Sequence, residues 1–178
     1  TFEKIDPFTI PMFDVEYLFL RIRGKSVGEN IELNLLCPDD GETRVKTKLN
    51  LEDVGVNQKA GHTNEISITD KIKIIMNYPT IKEMSGLNTE NSSDMDQILG
   101  MMKRCIHEVH DGETVHTKID MSESDLDEFI ESLTTEQFEN VANFFDTMPK
   151  VAHSIEVTNP KTKKKGEVVI EGIQSFFD

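Results

Sequence analysis

Tryptophan is missing from this 178-residue chain, tyrosine and cysteine occur twice each, and no apolar run approaches the ~20 residues of a membrane-spanning helix. Two thiols as far apart as Cys37 and Cys105 exclude a disulfide scaffold and fit a reducing compartment. Basic residues are also scarce, 19 Lys and Arg against 33 Asp and Glu, for a net charge of −14. Phosphate neutralisation needs clustered cations, so this balance disfavours a nucleic-acid binder and favours a protein partner. The N-terminus "TFEKIDPFTIPMF" lacks the basic start and unbroken apolar stretch of a secretory signal, so the expectation is a soluble protein of a cytoplasm.

What is present changes character along the chain. From Asp94 to Asp146 fourteen acids face only Lys103, Arg104 and Lys118, and on either side of this acidic segment short alternating runs replace helical spacing. The pattern predicts an α+β fold with antiparallel strand hairpins from both ends of the chain and a central acidic helical module. It reads as one domain over 1–178. Residues 1–80 are mainly β with one short helix, 81–149 form the acidic module, and 150–178 form a C-terminal hairpin and aromatic tail.

In the first part, Asp14 stands where an N-cap would, "VEYLFLRIRG" follows with Tyr17, Leu18, Phe19, Leu20 and Ile22 as its apolar face, and Gly24 is placed to end a short helix. A hairpin is predicted across "PDDG", because Ile31, Leu33 and Leu35 alternate with polar residues and Val45, Leu49 and Leu51 answer them. "EISITDKIKIIMNYP" alternates through Ile66, Ile68, Ile72 and Ile74. In the middle, apolar residues from Met95 to Val109 at steps of three and four predict an amphipathic helix over "DMDQILGMMKRCIHEVH". Ser122 with Asp125 and Thr134 with Gln137 are capping signals for two further helices, a helical hairpin closed by Pro149. "GLNTENSSD" reads as a surface loop, and "NPKTKKKG" as the turn of a last strand pair.

Two constellations invite chemistry. "CPDDG" resembles a zinc knuckle whose second cysteine is Asp40, but it offers a single cysteine, and the facing turn carries Lys161, Lys163, Lys164 and Lys165 with no Cys or His; it reads as a turn. "CIHEVH" brings Cys105, His107 and His110 close in sequence, without the four-residue spacing of a helical zinc pair. A small metal-dependent hydrolase using these three residues is the rival reading, and a soluble adaptor is another. Predicted helical periodicity puts Cys105 inside, and no glycine loop for phosphate is present, so no catalytic, metal or cofactor site is expected. Two segments read as binding surfaces. One is the acidic hairpin, with Glu128, Glu131 and Glu139 and with Phe144 beside its apolar stripe; the other is the terminal "GIQSFFD", with Phe176 and Phe177 folded back as core or docked on a neighbour.

Together, "PFTIPMFDVEYLFLRIRGKSVGE", the "CPDDG" hairpin, "ISITDKIKIIMNYPT", a helix-rich middle ending "FFDTMP" and the final "IEGIQSFFD" resemble the baseplate hub and hub-assembly proteins of T-even-type contractile-tailed bacteriophages. The resemblance implies a non-enzymatic role as a hub subunit or as a chaperone that helps the hub assemble. It implies other baseplate or hub proteins as partners, with homo-oligomerisation left open, and a place in the host cytoplasm during assembly or in the virion tail. It also implies cysteine-paired knuckles in the hairpin turns, from which Asp40 and the lysine turn depart.

Overall fold

The computed structural model describes residues 6–85, 87 and 93–177. The chain is α+β, as its pattern predicts, with β1 (Asn30–Leu36) and β2 (Arg44–Asn50) forming one terminal hairpin and β8 (Lys150–Thr158) and β9 (Lys165–Glu171) the other. It divides into two compact units. A hairpin unit is made from Phe13–Gln58 with Pro149 onward, and a helical unit from the chain up to Met12 with Lys59–Met148. The hairpin unit keeps residues up to Gln58 because Gly55–Asn57 pairs with a strand nearly a hundred residues later.

In the hairpin unit, α1 (Met12–Val27) packs beside the β1–β2 hairpin and a three-stranded sheet in the order β3 (Gly55–Asn57), β8, β9. Alternation in β1 buries Leu33 and Leu35, opposite Thr47 and Val45, with Ile31 opposite Leu49. These residues share a core with Leu20, Leu51, Val54, Val151, Ile155, Val157, Ile170 and Phe176. Helix α1 runs past Gly24, which is buried because Leu51 Cβ lies 3.8 Å from where its own Cβ would stand, and the helix ends before Gly28, whose φ is +137°. Arg21 ties the helix down: its guanidinium donates to Val54 O at 3.2 Å and lies 4.8 Å over the Tyr17 ring.

In the helical unit, β4 (Glu65–Ser67), β5 (Ile72–Met76), β6 (Ile106–Asp111) and β7 (Thr114–Thr117) form an antiparallel sheet in sequence order. Around them are α2 (Ile81–Ser85), α3 (Asp94–Cys105), α4 (Glu123–Glu131) and α5 (Thr135–Thr147). The capping boxes predicted at Ser122 and Thr134 are formed, and a third stands at Ser93 with Asp96. One predicted element is corrected: helix α3 stops at Cys105, and Ile106–Asp111 is a strand. Ile106 and Val109, three apart, satisfy both a helical stripe and the bulged strand opposite β5, and Gly112 and Glu113 then turn the chain into β7, Gly112 taking φ +60°. Most of "GLNTENSSD" lies outside the described residues.

The terminal aromatics separate. Phe176, in a short 3-10 turn (Ile173–Phe176), is 1% exposed in the core, whereas Phe177 is 46% exposed and meets Phe19 edge-on at 6.1 Å. Phe176→Ala should lower stability by about 3–5 kcal/mol, as for a buried phenylalanine, and Phe177→Ala by at most about 1.5 kcal/mol. Urea denaturation checks this, and equal losses for the two variants would contradict the assignment.

Candidate functional site

The turn between β1 and β2 answers the question its sequence poses. Cys37 is fully buried and its backbone closes the turn, donating to Thr43 O at 2.7 Å and accepting from Gly41 N at 3.0 Å, with Gly41 at φ +65°. Asp40 supplies the side-chain bonds that a knuckle would take from metal. Its Oδ1 accepts from the backbone of Glu42 and Thr43 at 3.1 and 2.9 Å, and its Oδ2 accepts from the Thr43 hydroxyl at 2.6 Å.

From the β8–β9 turn, 1% exposed Asn159 donates through Nδ2 to both Asp39 Oδ1 at 2.9 Å and Asp40 Oδ2 at 2.8 Å, and the Thr162 hydroxyl donates to Asp39 Oδ2 at 2.5 Å. The amide orientation is fixed from its other end, where Asn159 Oδ1 accepts from Lys161 N at 2.8 Å. A flipped amide would set an oxygen against two carboxylates. These bonds hold both carboxyls below the usual Asp range, Thr43 contributing most at Asp40 and Thr162 most at Asp39. Burial pushes the Cys37 thiol up, and the two nearby carboxylates push it further. The turns approach so closely that a Cβ on Gly166 would lie 2.5 Å from Pro38 Cγ. Sequence pattern gave no hint of this clasp, since its partners lie about 120 positions apart.

Cys105, His107 and His110 do not converge. The Cys105 thiol points into the core, 3.8 Å from Met101 Sδ, and burial, with Glu83 nearby, pushes its pKa up to about 12. Both imidazoles instead approach Glu108, His110 Nε2 at 2.7 Å and His107 Nε2 at 3.7 Å. Among the described residues no group of three His, Cys, Asp or Glu side chains is placed to hold a metal ion.

On the acidic hairpin, Glu128, Glu131 and Glu139 are exposed, as are the other acids of α4 and α5. Phe144, expected beside a binding surface, is corrected to core. It is 2% exposed and stacks on Tyr78 at 5.6 Å and against His62 at 5.1 Å. The inward stripe of α5 is centred on Val141 and Phe144, with Phe138, Ala142 and Phe145 flanking it half-buried. Phe176 is likewise core, leaving Phe177 as the exposed aromatic of the tail. A second feature escaped the sequence. Lys103, Arg104 and Lys118 line one open cleft of about 540 Å³ together with Lys82, Glu83, Asp96 and Glu123, and Lys103 pairs with Asp127 at 2.5 Å.

Because both clasp carboxyls have depressed folded pKa values, their stabilisation is complete above the ordinary Asp value of 3.8 and is lost as pH falls through the folded values. Asn159→Ala should lower stability at neutral pH by removing the bonds that join Asp39 and Asp40 to the facing turn. It should also make the acid loss of stability between about pH 4 and pH 2 shallower. Denaturation curves across that range check both, and an unchanged acid slope with unchanged neutral stability would remove the clasp from the account.

No curated protein and no solved structure gave a match to the chain. A family model, described as T4 bacteriophage base plate protein, matches residues 1–178. The chain therefore belongs to the T4 bacteriophage base plate protein family.

Proposed function

We propose that this base plate protein serves the hub of the phage tail, as a resident subunit or as an assembly factor, and that the outer face of α4 and α5 is where it captures a basic surface of another base plate protein. Family membership makes it a non-enzymatic tail protein that acts through protein–protein contacts. The observation that carries the finer reading is the one-signed face: between Ser122 and Asp146 every acid is exposed and no Lys or Arg occurs. Such a field steers a cationic partner and raises its association rate more than its final affinity. Phe177 is the second candidate contact. The protein works in the host cytoplasm during assembly; retention in mature virions distinguishes the resident subunit from the departing factor.

Glu128, Glu131 and Glu139 lie on solvated faces, so reversing all three to Lys should leave the melting temperature within a few degrees and abolish most co-purification of other base plate proteins from infected cells. Undiminished co-purification by the triple variant would refute the assignment of this face.

A further inference from the structure

Helix α1 carries two apolar faces. Leu20, Gly24 and Tyr17 face the core of the hairpin unit, while Leu18, Phe19 and Ile22, 51%, 49% and 65% exposed, form an outward stripe that continues onto Phe177. A surface helix of an acidic protein is ordinarily polar on its outer side, and a contiguous apolar stripe there marks a contact.

The charges bordering the stripe say what covers it. Acids lie in the first half of the helix, Asp14 and Glu16, and bases in the second, Arg23 and Lys25. Glu16 and Arg23, two turns apart, share one edge; Asp14 and Lys25, three turns apart, share the other. Both pairs have their midpoint between Phe19 and Leu20. A two-fold axis at that level lays each base against the acid of an antiparallel copy on both edges at once, while a parallel pairing sets like against like. Arg23 has no hydrogen-bond or ion-pair partner among the described residues, and Glu16, half-buried, has only the backbone of Ile173. Lys25 is already held by Glu29 and Glu52, so the edge with Arg23 carries the selectivity.

We propose that two copies of this chain associate through the outward face of α1, packed antiparallel, with Arg23 of each against Glu16 of the other. The association does not depend on the hub reading. One face of a 16-residue helix is small beside the roughly 800 Å² per partner of a standard interface, so the pair exchanges with monomer on dilution.

Sedimentation velocity of the full chain across the micromolar range tests this. The wild type should show a monomer–dimer equilibrium. Ile22→Asp, and Leu18→Lys as a second variant, should be monomeric with unchanged circular dichroism. Arg23→Glu and Glu16→Arg should each weaken self-association by about tenfold or more, and an equimolar mixture of the two should recover it, because both edge contacts are then restored in the heterodimer. Leu18→Cys should cross-link to itself under oxidation while Ser26→Cys, about 20 Å from its counterpart in the antiparallel pair, should not. A monomer at every concentration, a dimer indifferent to Ile22→Asp, or a mixture no better than its components would overturn the proposal. So would binding of the stripe to anionic phospholipid vesicles in place of dimerisation.

Discussion

Strand β8 is held at both ends, and the hairpin unit depends on it. Its first residues pair with β3, and directly after its last residue Asn159 bridges Asp39 and Asp40 of the opposite turn. The two segments that form this unit are separated by some ninety residues of helical unit, so closing it carries a loop entropy that local contacts do not offset. Apolar burial along Val151, Ile155 and Val157 supplies the general driving force. The clasp supplies register, because a one-residue slip of β8 would aim Asn159 away from both carboxylates. Two carboxylates at the tip of a turn repel one another, and here donors from both turns remove that repulsion without a cation. The single buried thiol beside them packs as a small hydrophobe.

The helical unit sorts its residues by sign and polarity: Leu126, Ile130, Val141 and Phe144 go inward, the acids of α4 and α5 outward. Both cysteines are buried in packing, and His107, His110 and His62 make local side-chain contacts. His62 shows the pattern well. Its ring nitrogens meet the Thr147 hydroxyl at 2.9 Å and the Tyr78 hydroxyl at 3.1 Å, and burial holds its pKa below the ordinary histidine value. It joins the end of α5 to the segment after β5, a structural bond between elements far apart in sequence.

Much of this was legible before any coordinates. Alternation in β1 and β2 specified the buried face, and the spacing of Ser122 to Asp125 and Thr134 to Gln137 specified two helix starts, because both signals are local. Four features were illegible for physical reasons. Ile106 and Val109 fit two periods, and the Gly112–Glu113 turn that decides between them belongs to the next hairpin. Phe144 and Phe145 are adjacent, so a shift of a single position in the stripe of α5 exchanges core for flank. Helix α1 has apolar residues nearly all round, so periodicity alone could not say which would face out, and Gly24, read as its end, is instead the point of closest approach to Leu51. The clasp joins positions about 120 apart, beyond the reach of any local pattern.

The side-chain amide of Asn159 reports most directly on the bond that holds the two turns together. The amide is itself buried and donates both of its protons to the Asp39 and Asp40 carboxylates, so hydrogen exchange followed by NMR should find them protected to nearly the same degree as the backbone amides of β8, released only when the hairpin unit opens. Exchange at the rate of a free asparagine amide, with β8 still protected, would contradict the account.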